Sequence, residues 1–377
     1  MRTRNNEFGI FPRRSRKTIL YYYWIYDCNG KRKYRSTGKQ DYYEAIKFCR
    51  SLLIKGQLYL GTSYSFKSYT EDFFIYDKCP YIKSRLLRGY SYGKTWAKKE
   101  RSLLVKYIQP YFKETDIRTI SQNMIDNFIL SLKESNIGVK TCCHIISAIK
   151  VIFKYANKTG VIETNPAEGV LPFKNNVIEK GIFTREELIL LFSNPERLCI
   201  WDNSMQFLLN CIAANTGMRL GEVLALRPDN ISEKKIIIEY SWNEIEGLKS
   251  TKTGKKRIVP ISTGLGEAIR SYIINNKIKG YIFSANEGKT PISHKMVYKY
   301  FWKALSKIGI CKDTRKMKNI SFHSYRHTFN TMLLESNINP ELIRLVTGHT
   351  VNMTSRYSHV QLGNLPGISE KLNIFND

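Results

Sequence analysis

Acidic residues are scarce in this chain. It has 32 of them against 60 lysines and arginines, a formal net charge of +28 over 377 residues. Solubility needs far less, so a polyanionic partner is expected. No apolar run reaches the ~18 residues that a membrane span requires. The opening MRTRNNEFG is polar and lacks a signal-peptide core. A membrane protein and a secreted one are therefore not expected. The eight cysteines are scattered, with only Cys142-Cys143 close together and no CxxC pair. A disulfide scaffold is not expected, and the thiols read as free in a reducing cytoplasm. No repeat and no low-complexity tract is present. No carboxylate cluster offers a metal site, so neither metal nor cofactor is expected.

What is there is basic throughout. Residues 1–60 carry a net +10, residues 61–170 a net +7 and residues 171–377 a net +11. Charge spread in this way suits a protein that wraps DNA better than one with a single basic tail. The length suggests two or three domains, and 42% apolar residues can build real cores.

Residues 8–60 read as a small β-β-α unit within the basic segment 1–60. Thr18 to Asp27 is aromatic and β-branched, which marks a strand. Asn29-Gly30 is a hairpin signal, and Lys31 to Thr37 returns as a second strand. Asp41 caps a helix to about Leu53. A basic sheet of this size can enter a major groove, and Arg13, Arg14, Arg16, Lys31, Lys33 and Arg35 are its candidate DNA contacts. The bland alternative is a folding module with a solvated basic face.

After a linker at 56–65, residues 66–170 are helical, with helices expected at 69–76, 92–108, 122–133 and 140–158. Lys94, Lys98, Lys99 and Arg101 are expected on the exposed side of the second of these, where they would hold phosphates without reading sequence. Residues 175–377 form the third domain. Thr184-Arg185-Glu186-Glu187 is a capping box, and an apolar helix follows from Trp201 to Thr216. Gly217 to Glu222 breaks and restarts it, placing Arg219 at a helix start and Glu222 one turn on. Strands are expected at 236–240 and 257–261, with Lys249 to Lys256 as a basic hairpin tip between them. Helices are expected at 264–275 and 293–308.

The segment from Ser321 to Tyr357 concentrates the chemistry. It opens SFHSYRHTFN and holds three of the six histidines, with His359 just beyond. His323, Arg326 and His327 share one helix face at i, i+3 and i+4. Phe322, Tyr325, Phe329 and Met332/Leu333 are expected to face a core. Asn339-Pro340 starts a second short helix, and Gly348 ends it at His349. The histidine pair could be zinc ligands, as in HExxH. The intervening residues are Ser324-Tyr325-Arg326, however, with no glutamate and with a cation beside the would-be metal. A buried structural pair is the other plain reading.

Taken together, AANTGMRLGEVLAL, STKTGKKRIVPI, SFHSYRHTF, VTGH and TSRYSH occur in an order that resembles the tyrosine recombinases, the phage-integrase family. The resemblance covers residues 66–377, and residues 1–60 more loosely resemble the arm-binding domain of some integrases. It implies a mainly α, multi-domain fold with small β-sheets: an arm-type DNA-binding domain, a helical core-binding domain and a mixed α+β catalytic domain. It implies Tyr357 as a nucleophile forming a 3′-phosphotyrosine, which conserves bond energy and needs no ATP. Arg219, Arg326 and His349 would hold the phosphate oxygens. Lys252 would protonate the departing 5′-oxygen, and His323 would be an acid/base partner. Glu222 and His327 would support the site. His349 to Tyr357 is one residue shorter than usual in the family. The expected function is site-specific recombination, integrating or excising a mobile element. The expected partners are double-stranded DNA at core and arm sites, a homo-tetramer on that DNA, and accessory DNA-bending or excision factors. The expected place of action is the bacterial cytoplasm, at the nucleoid. A type IB topoisomerase-like enzyme and a non-catalytic DNA-binding regulator are the alternatives.

Overall fold

The computed structural model describes residues 8–14, 18–26, 32–54, 65–174, 180–193, 197–251, 254 and 256–348. Asn29-Gly30, Arg16, Lys31, Lys252, His349, Arg356, Tyr357 and His359 lie outside the described residues. The chain divides into two compact units, Met1–Asn176 and Val177–Asp377.

The first unit opens with β1 (Gly9–Arg14), β2 (Ile19–Tyr26) and β3 (Arg32–Ser36), an antiparallel sheet in the order β1-β2-β3. It is followed by α1 (Tyr42–Ile54). The expected β-β-α unit thus has one strand more. Pro12 and the arginine pair Arg13-Arg14 mask β1 in the sequence, yet an edge strand tolerates proline. The strand's period of two divides the faces. Tyr23 and Ile25 are buried with Cys49. Tyr22 and Trp24 point the other way, where Arg13 lies over the Tyr22 ring and Arg32 over Trp24. Pairing puts Arg35 opposite Tyr23 and Lys33 opposite Ile25. The basic residues of this sheet are therefore split between its two faces.

The helices α2 (Phe66–Tyr69), α3 (Pro80–Leu86), α4 (Lys94–Leu103), α5 (Gln109–Phe112), α6 (Gln122–Glu134) and α7 (Val139–Lys158) follow α1. A π-helical turn, Leu104–Ile108, joins α4 to α5. The helix expected at 69–76 is not formed: α2 stops at Tyr69, and Phe74 takes φ 62°. Short α3, which starts at Pro80, was hidden by its length. Arg101 is not on the exposed side of α4. It turns inward and donates to the carbonyls of Thr70 at 2.9 Å and Phe73 at 3.2 Å, satisfying the turns that replace the missing helix. Lys94, Lys98 and Lys99 are exposed, as expected.

The second unit contains α8 (Arg185–Phe192), α9 (Arg197–Trp201), α10 (Ser204–Thr216), α11 (Leu220–Leu224), α12 (Thr263–Asn275), α13 (His294–Lys307), α14 (Lys312–Met317), α15 (Ser324–Glu335) and α16 (Pro340–Thr347). The capping box at Thr184 and Glu187 is present. The strands are β4 (Lys235–Ile238), β5 (Tyr240–Asn243), β6 (Gly247–Ser250) and β7 (Arg257–Pro260). β4 pairs with β7 and β5 with β6, both antiparallel. The turn of this hairpin is therefore at 244–246. Lys249 and Ser250, expected at a basic tip, are instead in the return strand β6. The core runs from Phe183 through α10 to Phe322, Tyr325, Phe329 and Leu333, the apolar face expected of α15. Among the described residues no helix is long and apolar enough to cross a membrane.

Candidate active site

The site starts where α10 ends. Gly217 takes φ 59°, and a Cβ there would lie 2.6 Å from the Phe329 ring. Glycine meets both demands. The chain restarts in α11 with Arg219 at the N-cap. Glu222, one turn on, accepts a bond from the Arg219 backbone N–H at 2.9 Å and from Arg219 Nη1 at 3.0 Å. A carboxylate in the first turn also suits the helix dipole.

Glu222 is only 1% exposed and serves a second arginine. Arg257, the first residue of β7, donates Nη1 to Glu222 Oε1 at 3.0 Å and Nη2 to Oε2 at 2.6 Å. Burial pushes the Glu222 carboxyl up, but the hydrogen bonds and charges of Arg257 and Arg219 outweigh it and leave the group below the usual carboxylate range. Arg257 Nε donates to Val346 O at 2.9 Å, in the last turn of α16.

α15 supplies the opposite wall. His323 is its N-cap, at φ −66° and ψ −14°. Its carbonyl accepts from the N–H groups of Arg326 at 3.1 Å and His327 at 3.3 Å, so the three side chains share one turn even though the helix proper begins at Ser324. Arg326 is 1% exposed, and its Nη1 donates to Gly217 O at 2.9 Å. Burial pushes its guanidinium down to about 9; Arg219 and Arg257 push the same way, and Glu222 opposes them. It remains a cation at neutral pH. His323 is exposed, and its imidazole is pushed down to about 4 by partial desolvation and by His327, Arg326, Arg219 and Lys180. It is thus uncharged at neutral pH and can accept a proton. The His323 and His327 rings meet edge to face at 5.0 Å. Among the described residues no group of His, Cys, Asp and Glu could hold a metal ion.

α16 closes the site. Asn339 caps it through a bond from Glu341 N at 2.8 Å, Pro340 opens it, and Gly348 ends it at φ 67°. Arg219 Nη2 donates to Gly348 O at 3.3 Å.

Arg219, Glu222, His323, Arg326 and His327 are therefore brought together from two separate segments. Lys252, His349 and Tyr357 were expected beside them and lie outside the described residues, although Thr251 and Gly348 next to two of them are described. Of the candidate DNA contacts, Arg13, Arg14, Lys33, Arg35, Lys94 and Lys98 are exposed; Arg16 and Lys31 are outside the described residues. The sequence reading missed Arg257 and Lys180. Arg257 opens β7, whose buried Val259 pairs with Ile236 of β4, and this apolar pairing gives no hint of a buried cation. Lys180 precedes the family-like motifs and reaches the site because Gly181 and Phe183 hydrogen-bond to Asn319 and Thr328.

Three guanidiniums around one carboxylate leave an excess of positive charge where planar donors converge, an arrangement suited to a phosphodiester. Comparison with known proteins agrees. The model of the phage integrase family matches residues 182–363, a span that contains every one of these motifs. The chain is 26% identical over 265 residues to a tyrosine recombinase of Pseudothermotoga lettingae, covering 68% of this chain and 84% of that one. It is 25% identical over 269 residues to tyrosine recombinase XerD of Halalkalibacterium halodurans, with the same coverage of each. Among solved structures, the Tn1549 transposon integrase in complex with a circular intermediate DNA shares the fold at TM-score 0.58 and 19% identity, over 79% of this chain and 94% of that one. A lambda integrase tetramer bound to a Holliday junction does so at TM-score 0.55 and 18% identity, over 91% and 98%. With its arginine-clamped site and these relatives, the chain is similar to the tyrosine recombinases, and its residues 182–363 match the phage integrase family.

Proposed function

We propose that this recombinase cuts and rejoins DNA at specific sites through Tyr357, and that it integrates or excises a mobile element. The observation that carries the reading is the convergence of Arg219, Arg326 and His323 at the two glycine-ended helices, with Gly348 one residue before His349. In the proposed reaction the Tyr357 hydroxyl attacks the phosphorus and gives up its proton, with His323 as acceptor. Arg219, Arg326 and His349 donate to the non-bridging oxygens as charge develops there. The bond to the 5′-oxygen breaks, and Lys252 protonates that oxygen as it leaves. The product is a 3′-phosphotyrosine and a free 5′-hydroxyl. Reversal by another strand's 5′-hydroxyl rejoins the DNA.

Two sites must be paired for exchange, so the working form is proposed to be a homo-tetramer on DNA, acting at the bacterial nucleoid with accessory bending or excision factors. Residues 66–170 would grip the core site with Lys94 and Lys98 among their contacts. Residues 1–60 would read separate arm sites with Arg13, Arg14, Arg16, Lys31, Lys33 and Arg35, and residues 175–377 would perform the chemistry. The test is joining of two defined DNA sites in vitro. Recombinant products without ATP are expected. Relaxation of supercoils with no joined product would mean a topoisomerase, and binding with neither would mean a regulator.

The role of Lys252 has its own test. Lys252→Ala should cleave slowly on normal DNA and regain speed on a substrate whose leaving oxygen is replaced by sulphur, a group that needs no protonation. Equal defects on both substrates would remove the general-acid role from Lys252.

A further inference from the structure

Arg257, like Arg219, bonds both Glu222 and the end of α16, but it does so from a buried position. All three of its nitrogens are used within the protein: Nε on Val346 O, and Nη1 and Nη2 on the two oxygens of Glu222. It is 8% exposed, so it does not reach DNA itself.

We propose that Arg257 is a positioning residue for DNA cleavage, acting on Arg219 through Glu222 and on the end of α16 through Val346. The proposal rests on the reading of Arg219 as a phosphate donor. Glu222 has two oxygens, and a free carboxylate takes a guanidinium as a two-bonded fork. With Arg257 occupying both oxygens, Arg219 keeps a single side-chain bond to Glu222, from Nη1. Its other terminal nitrogen is turned to Gly348 O. Without Arg257, Glu222 would draw both terminal nitrogens of Arg219 to itself, away from a bound phosphate. The second arm is steric. A Cβ at Gly348 would lie 3.2 Å from Arg257 Nη1, so the Arg257 side chain packs directly on the residue that precedes His349. One side chain therefore sets Arg219 relative to the end of α16. A displacement of about 1 Å at such a site can cost on the order of 10²-fold in rate.

A merely structural arginine would pin β7 to α16, and its loss would lower the folded fraction without slowing the molecules that remain folded. The experiment measures single-turnover cleavage of a nicked, saturating DNA by Arg257→Lys, Arg257→Gln, Glu222→Gln, Arg219→Ala and the Arg257→Lys/Glu222→Gln pair. Tm and DNA affinity are measured beside it, with trimethylamine N-oxide added where needed so that rates are read on folded protein. Arg257→Lys and Arg257→Gln are expected to bind DNA normally and cleave about 10²-fold more slowly per folded molecule. The double variant is expected to be far faster than the product of the two single losses, because both act on Arg219. Wild-type cleavage per folded molecule, or losses that multiply, overturns the proposal. Arg219→Ala at wild-type speed would sink this proposal and the reading of Arg219 together. A slow Arg219→Ala beside a normal Arg257→Lys sinks this proposal alone.

Discussion

Tyr357→Phe is expected to bind DNA with wild-type affinity and to form no covalent protein–DNA adduct. The substitution removes one oxygen. It leaves the ring and every cation in place, so the electrostatic part of binding is untouched. The chain has 24 tyrosines, and Tyr325 stands closest in sequence to the arginine of the site. It is excluded as the nucleophile by its surroundings. Its ring packs against Phe183, Phe192, Phe301 and Phe322, it is 1% exposed, and burial raises its phenol well above the ordinary value. A phenol in that position neither ionises nor reaches a phosphate. The measurement is a denaturing gel of protein trapped on a nicked suicide substrate. Adduct at the wild-type level from Tyr357→Phe would move the nucleophile to another exposed tyrosine, and peptide mapping of the adduct would locate it.

What could be read in the sequence were the local rules. Gly217 and Gly348 mark helix ends because positive φ is cheap only for glycine, and both ends are where expected. Thr184 and Glu187 announce their capping box, and the three- and four-residue recurrence of Phe322, Tyr325, Phe329 and Leu333 gives the buried face of α15. What could not be read were pairings over long separations. Arg257 meets Glu222 across 35 residues and Val346 across 89. No local pattern says that a strand-opening arginine will be buried against a carboxylate. The hairpin turn is likewise at 244–246 because β5 pairs with β6. The richer basic run at 249–256 suggested a tip by charge alone. Arg101 shows the same limit in the first unit. Helical periodicity put it outside, and the carbonyls of Thr70 and Phe73, in turns rather than a helix, brought it in.

Arg326→Ala and Arg219→Ala should each slow cleavage by at least about 10²-fold, the scale for loss of one preorganised donor to a developing charge. DNA affinity should change little, because so many of the 60 basic residues remain to meet phosphates. The two variants should part company in stability. Arg219 is more than a quarter exposed, and its removal leaves Glu222 still held by both terminal nitrogens of Arg257. Arg326 is buried, and its Nη1 holds the Gly217 carbonyl at the end of α10. Removing it strips a buried acceptor of that donor and opens a cavity, at a cost of about 1–3 kcal/mol from the acceptor alone. Its removal also relieves some strain, since burial above all, with Arg219 and Arg257 adding to it, pushes its guanidinium down to about 9. That relief offsets part of the loss, so Arg326→Ala should fold with a lowered Tm while Arg219→Ala melts near the wild type. Gel-shift affinity, single-turnover cleavage and thermal melting on the same preparations check all three statements. A fall in affinity as large as the fall in cleavage would make these arginines ordinary phosphate anchors. Because affinity changes little, saturating DNA should raise the Tm of both variants by about as much as that of the wild type, and a much smaller rise would show that these arginines anchor the DNA in the ground state.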